Sequence, residues 1–289
     1  MEKSLKLLSL IRYRFFFFAG IFPYLLGQVI AFNARRFLNW HYFGLGFLGI
    51  SLVLLGVEFF NEYFDAKEGG DRIFLEEKPE VPDYFFILGI FVFMLAFFIG
   101  LYLTFQIGWP IILFSFLGFL GAYFYVGPPI RWAYRGLGEL VIALSYGPFM
   151  VLGSYYLQTK RIAFLPSFVS LILGLLIFSL ALINEIPDYY QDRFVGKRNI
   201  VVRLGRRNAV RLFSLTLVLT FIFLGFGITL KIIPPLSIFV FFLLPLILEN
   251  IRIAQKYYDY PLEFLATIKN TVLVYVIVVA FLGISYLGG

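Results

Sequence analysis

Apolar runs of about 18–22 residues recur along nearly the whole chain, and no other feature limits the fold as strongly. At about 1.5 Å of rise per residue, a helix of that length crosses the hydrocarbon of a bilayer. Hydrocarbon offers no hydrogen-bond partner to a bare backbone, so only helices or a closed barrel can span it. The runs lack period-two alternation, which selects helices. Nine spans follow: 15–33, 41–60, 84–104, 109–127, 138–157, 164–184, 210–230, 233–249 and 265–286. With 61% hydrophobic and 14% charged residues and a mean hydropathy of +0.89, the chain reads as an all-α integral membrane protein. Residues 1–289 form a single transmembrane domain in this reading. Lys3, Lys6, Arg12 and Arg14 precede the first span as in a signal peptide, yet no small-residue cleavage site follows, so the segment is read as a retained first helix.

Charge sets the orientation. If the spans alternate in direction, 19 of the 24 Lys and Arg fall on the side of the amino terminus. Only Arg35, Arg36, Lys160, Arg161 and Lys231 fall on the other. The amino terminus is therefore expected in the cytoplasm and the carboxyl terminus outside, in the cell membrane. All 17 acidic residues also lie on the cytoplasmic side or at that end of a span, although acids take no part in the orienting rule. One face is thus loaded with groups that bind metal or handle protons. The net charge of +7 has the same topological origin, and no nucleic-acid partner is implied.

Two clusters carry the chemistry. Asn61-x3-Asp65-x5-Asp71 leaves the second span, and Asn184-x3-Asp188-x3-Asp192 leaves the sixth, 123 residues later. A four-helix unit used twice, spans one to four and five to eight with a ninth helix added, would bring both clusters to one face. The spacing places Glu58, Asn61 and Asp65 on one helical face and Asn184, Asp188 and Asp192 on another. Two carboxylates about 6 Å apart repel by roughly 3 kcal/mol at an effective dielectric near 20, so facing acids call for a cation. With one His and no Cys, the donors are oxygens, which select Mg²⁺ or a similar hard ion. Mg²⁺ is bound by a few carboxylates plus substrate phosphates, so a diphosphate bridging the clusters is the implied ligand. Asn61, Asp65, Asp71, Asn184, Asp188 and Asp192 are the candidate metal ligands, and Asn61, Asp65, Asp188 and Asp192 the candidate catalytic set.

Lys197 and Arg198 follow the second cluster past Gly196 and are candidates to hold the diphosphate, with Arg14, Arg72 and Arg131 as further cations. Lys269, about a turn inside the ninth span, is either functional or reaches back to the interface. Aromatic residues are 21% of the chain, and rings near a cavity could stabilise an allylic cation. Phe60, Tyr63, Tyr125 and Tyr146 are the candidates by proximity to the clusters.

Three strings together resemble the UbiA superfamily of intramembrane prenyltransferases: Asn-Glu-Tyr-Phe-Asp-Ala-Lys-Glu-Gly-Gly-Asp at 61–71, Tyr-Arg-Gly-Leu-Gly-Glu at 134–139, and Asn-Glu-Ile-Pro-Asp-Tyr-Tyr-Gln-Asp-Arg-Phe-Val-Gly-Lys-Arg at 184–198. Glu62 stands where the family usually has Asp, Asn199 where Thr is common, and a Tyr-x3-Lys element is missing, with Tyr125 and Arg131 as its nearest equivalents. The stretch around Glu139, with residues 146–159, is most similar to the branch acting on 1,4-dihydroxy-2-naphthoate in menaquinone synthesis. The resemblance implies nine helices around a central cavity open to the side, and a prenyl diphosphate bound through Mg²⁺ to both clusters. It also implies ionisation of that diphosphate and attack by an aromatic acceptor. Glu58, Tyr125, Arg131 and Glu139 then join the substrate-binding set. An archaeal-type ether-lipid enzyme acting on a glycerol phosphate is the alternative acceptor reading. From other classes, a divalent-cation transporter and a non-catalytic lipid-binding scaffold compete.

Overall fold

The computed structural model describes the backbone of residues 2–68 and 81–288, and the side chains in those stretches from Ala19 onward, Asp65 and Glu68 excepted. The regular structure among the described residues is helical: α1 (Glu2–Arg35), α2 (Trp40–Glu68), α3 (Tyr84–Ile107), α4 (Pro110–Tyr123), α5 (Gly138–Leu144), α6 (Met150–Thr159), α7 (Phe164–Glu185), α8 (Tyr189–Phe194), α9 (Ile200–Leu204), α10 (Arg206–Thr229), α11 (Leu244–Tyr257) and α12 (Pro261–Gly288). A π-helical turn, Ser145–Phe149, joins α5 to α6, and a 3₁₀ stretch, Pro235–Leu243, leads into α11.

Among the described residues seven stretches are long and apolar enough to cross a membrane: Trp40–Phe64, Tyr84–Ile107, Gly138–Thr159, Phe164–Glu185, Arg206–Thr229, Pro235–Tyr257 and Pro261–Gly288. The expected span 109–127 falls on α4, whose 14 residues are short for a full crossing. The expected 233–249 is displaced, because the helix runs on to Tyr257 through Arg252 and Lys256 on a polar flank that hydropathy alone discounts.

α7 is the central column. From Phe168 to Glu185 nearly every residue is buried, which suits a helix that is apolar all round. Helices α5, α10 and α12 and the π turn pack around it, α1 lies against α6 and α12, and α2 runs beside α3. Small residues permit the closest of these approaches. A Cβ added to Gly147 would sit 2.7 Å from the Cα of Gly174 and 2.8 Å from the Ser170 carbonyl oxygen. Gly147→Ala is therefore expected to cost about 1–3 kcal/mol, read as a lower midpoint of thermal unfolding in mild detergent. An unchanged midpoint would mean that these two backbones do not meet.

Polar pairing fixes α1 against α6 at the end away from the clusters. Gln158 Nε2 donates to Gln28 Oε1 at 2.8 Å, Gln28 Nε2 donates to the Ser154 carbonyl at 2.9 Å, and Asn39 N donates to Gln158 Oε1 at 2.9 Å. Arg35 closes the group on the Gln158 carbonyl. Buried amides in an apolar bundle need such partners.

One expected face does not survive. α7 ends at Glu185, and Pro187, lacking an N–H, cannot continue it. Asp188 becomes the residue preceding α8, and residues 189–204, expected as loop, hold two short helices. Asn184, Asp188 and Asp192 thus do not share a continuous helical face. Lys269 is exposed on α12, as a side chain reaching the interface would be.

Candidate functional site

The two asparagines that open the clusters meet at one cavity. Its volume is about 170 Å³, and its walls include Glu58 and Asn61 from α2, Tyr125 beyond α4, Ser145 and Tyr146 from the π turn, Asn184 and Glu185 from α7, and Lys197 from the α8–α9 connection. The α2 spacing delivers Glu58 and Asn61 to the same wall, as the helical period requires. Across from them, the break after α7 leaves Asn184 and Glu185 on the last turn facing inward. Gly196, at φ +79°, takes a left-handed turn that brings the chain back toward α7.

Buried polar contacts hold the floor in place. Lys197 Nζ lies 3.9 Å from Glu185 Oε1 and 3.5 Å from Asp192 Oδ2, and Tyr125 Oη donates to Glu185 Oε1 at 3.4 Å. Asn199 works in two directions: its Nδ2 donates to Asp192 Oδ2 at 2.6 Å, while its Oδ1 accepts from Val202 N at 2.7 Å and caps α9. Glu139, fully buried, accepts from Ile200 N through Oε1 at 2.7 Å. The loop carrying Lys197 is thus pinned on both sides.

The remaining expected residues are placed as follows. Asp188 is half-buried at the start of α8, and Asp192 is buried behind Lys197 rather than at the cavity wall. Arg131, at φ 54°, has its guanidinium 5.6 Å from the Tyr134 ring centre. Arg198 is exposed, and its carbonyl accepts from Arg203 Nε at 2.8 Å. Asp71 and Arg72 lie outside the described residues, as do the side chains of Arg14 and Asp65. Of the four rings, Tyr125 and Tyr146 line the cavity. Tyr63 instead packs on Phe64 and Phe86 and donates to Asp83 Oδ1 at 3.2 Å. Phe60 stacks on Phe93 at 5.3 Å and lines a second cavity.

That second cavity is larger, about 880 Å³, and almost wholly apolar. It runs between α2, α3, α4 and α6 for roughly 20 Å along α2, from Phe60 back to Gly46. Its outer wall includes Ile90, Met94, Phe97 and Trp109, all exposed on the bundle surface. Val53, Gly118, Ser145 and Met150 line both cavities, so the two adjoin there.

The donor set suits a hard divalent ion shared with a ligand. Among the described residues no three His, Cys, Asp or Glu side chains are grouped to hold a metal by themselves. Yet Asn61 Oδ1 is buried at the cavity without a hydrogen-bond partner among the described residues. Buried acceptors of this kind are costly unless a cation or donor meets them. An all-oxygen rim completed by phosphate oxygens is how Mg²⁺ is ordinarily held.

Sequence reasoning passed over Glu185, Ser145 and Asn199 as site residues. Glu185 follows Asn184 directly and so falls off any i, i+4 face; its signal was an acid at the end of an otherwise apolar span. Asn199 carried one too, as the first capping residue after the glycine turn.

The profile of the UbiA prenyltransferase family matches residues 20–270. A 1,4-dihydroxy-2-naphthoate octaprenyltransferase of Bacillus subtilis is 27% identical over 216 residues, covering 71% of this chain and 68% of its own length. Among solved structures, a digeranylgeranylglyceryl phosphate synthase superposes with a TM-score of 0.68 at 18% identity over the full length of both chains. A UbiA homologue from Archaeoglobus fulgidus bound to GPP and Mg²⁺ gives 0.62 at 14% identity, over 96% of this chain and all of that one.

Proposed function

This chain belongs to the UbiA prenyltransferase family, and we propose that it transfers the prenyl group of a prenyl diphosphate to a hydroxylated aromatic acceptor of the 1,4-dihydroxy-2-naphthoate type. The observation that carries this reading is the adjoining pair of cavities. One is polar and holds Asn61, Asn184 and Lys197; the other is apolar and about 20 Å long. A prenyl diphosphate has the same division, an anionic head on an apolar chain. The head sits in the polar cavity, C1 of the prenyl group at a passage that this reading places where the two cavities adjoin, and the chain in the apolar cavity, whose exposed outer wall lets a long chain leave toward lipid.

Lys197 holds a diphosphate oxygen, steadied by Glu185 and Asp192. Arg14, Arg72, Arg131 and Arg198 are the further cations of this reading, and Asn61, Asp65, Asp71, Asn184, Asp188 and Asp192 its metal ligands. Mg²⁺, when bound by these oxygens, supplies charge neutralisation for the departing diphosphate. The C1–O bond breaks with its electron pair going to the diphosphate. A ring carbon of the acceptor then bonds to C1 and loses a proton, or carbon dioxide if it bears a carboxylate, whose bonding pair restores the aromatic ring. Tyr125 and Tyr146 face the site with their rings, which favour a transient cation, and the apolar walls exclude water.

The same reading takes residues 1–289 as one transmembrane domain. Nine helices cross the cell membrane, α1 and α4 among them, with the amino terminus and the site toward the cytoplasm and the carboxyl terminus outside. The charge distribution supports the orientation, and the meeting of Asn61 with Asn184 supports a four-helix unit used twice. The full-length fold likeness to digeranylgeranylglyceryl phosphate synthase favours, as second reading, a glycerol-phosphate acceptor. Purified protein is to be incubated with Mg²⁺, geranyl or geranylgeranyl diphosphate, and either 1,4-dihydroxy-2-naphthoate or a glycerol-phosphate ether, with products identified by mass. A prenylated naphthoate is the expected result. Product only from the glycerol phosphate selects the second reading, and no product with either acceptor overturns both.

A further inference from the structure

Ser145 Oγ lacks the partner that many helical hydroxyls of this protein have, a lack it shares with Ser237, Thr267 and Ser285, of which it is the one that lines the cavities. Ser51, Ser167, Ser179, Ser214 and Thr104 each donate back to the carbonyl four residues earlier, at 2.7–2.9 Å. That is the ordinary way for a hydroxyl to be satisfied inside an apolar helix. Ser145 Oγ is buried and has no hydrogen-bond partner among the described residues. It opens the π turn Ser145–Phe149, and such turns recur at functional sites because they re-aim a side chain.

Its position sharpens the point. Of the four residues lining both cavities, Val53, Gly118, Ser145 and Met150, only Ser145 carries a hydroxyl. Space for it is kept open by α4: a Cβ on Gly121 would stand 2.6 Å from Ser145 Oγ.

We propose that Ser145 Oγ hydrogen-bonds the acceptor and holds its reacting carbon against C1 of the prenyl group. The proposal rests on the prenyl-transfer reading above. With the head at Asn61, Asn184 and Lys197 and the chain among the apolar walls, C1 lies at the passage. An acceptor carbon must come within about 3–3.5 Å of it in a near-attack geometry. A hydroxyl both donates and accepts, so it can engage a phenolic hydroxyl or a ring carboxylate of the acceptor. The prenyl chain has no group for it to bond. Ser145 is thus a specificity residue for the acceptor rather than for the donor.

The test uses the intact protein with Mg²⁺, geranyl diphosphate and 1,4-dihydroxy-2-naphthoate, comparing the parent with Ser145→Ala, Gly121→Ala and the double variant. Ser145→Ala is expected to lower kcat/KM for the acceptor about tenfold, the loss of one hydrogen bond to substrate. KM for geranyl diphosphate and the acceptor-independent release of diphosphate should stay within twofold. Gly121→Ala displaces the hydroxyl and should reproduce the acceptor defect, while the double variant should be no worse than either single one. Unchanged acceptor kinetics in Ser145→Ala, or an equal effect on the donor, overturns the assignment. A parent protein that makes no prenylated naphthoate removes the functional reading itself, and this inference with it.

Discussion

Lys197→Met is expected to reduce kcat/KM for the prenyl diphosphate by about a hundred- to a thousandfold, the scale seen when a preorganised charge partner of a leaving group is removed. Lys197 is the cation that lines the polar cavity. Its side chain is only 20% exposed, so water screens it poorly. Glu185 at 3.9 Å and Asp192 at 3.5 Å hold Nζ from the protein side. Removing the ammonium also leaves two buried carboxylates facing each other without it, so some loss of stability accompanies the kinetic defect. Lys197→Arg separates the two effects. It keeps the charge, and with it the stability, but replaces a compact ammonium by a planar fork that does not fit the same point. Steady-state kinetics at saturating acceptor, paired with thermal unfolding, should find Lys197→Arg close to the parent in stability and intermediate in rate. A Lys197→Met enzyme within threefold of the parent would remove this residue from the diphosphate site.

The bundle was legible in the sequence because its largest cost, a bare backbone in hydrocarbon, is written into run length and composition. Among the described residues, seven of the expected spans fall on helices long and apolar enough to cross, and the span 15–33 begins with side chains outside them. Span 109–127 fails that criterion because α4 stops at Tyr123. The face of α2 was equally readable: an unbroken helix puts Glu58 and Asn61 on one wall. The expected helical face of the second cluster fails for a local reason. An i, i+4, i+8 spacing holds only while the helix continues, and Pro187 stops it, turning Asp192 inward to Lys197 and Asn199. Pairing across α7 chose Glu185, which no period marks.

Which aromatic rings face a cavity was settled by tertiary contact alone. Tyr63 lies three residues from Phe60, close to the same helical face, yet its hydroxyl is drawn away by Lys67 and Asp83. Tyr146 reaches the wall because a π turn rotates it there. Ser145 opens the same turn, a feature of backbone winding that no residue pattern announces.

Chelating divalent cations should abolish prenyl transfer, by more than about a thousandfold, and restoring Mg²⁺ should recover it. The polar cavity gathers Glu58, Glu185 and the asparagine oxygens around one lysine, with Asp192 directly behind. A diphosphate adds further negative charge to an already acid-rich rim, which Lys197, the cation among the described residues of the cavity wall, does not balance. Donor and metal are thus expected to bind together, each weak without the other. Asn61→Ala and Asn184→Ala should therefore raise the Mg²⁺ concentration for half-maximal rate by about tenfold or more, the effect of losing one neutral oxygen near the ion. KM for the acceptor should move little, since it approaches from the passage at Ser145. The two asparagines lie 123 residues apart in the chain, so matching shifts from both would tie their oxygens to one ion-bound substrate. Full turnover in excess EDTA, or an Asn184→Ala enzyme with the Mg²⁺ dependence of the parent, would exclude that arrangement.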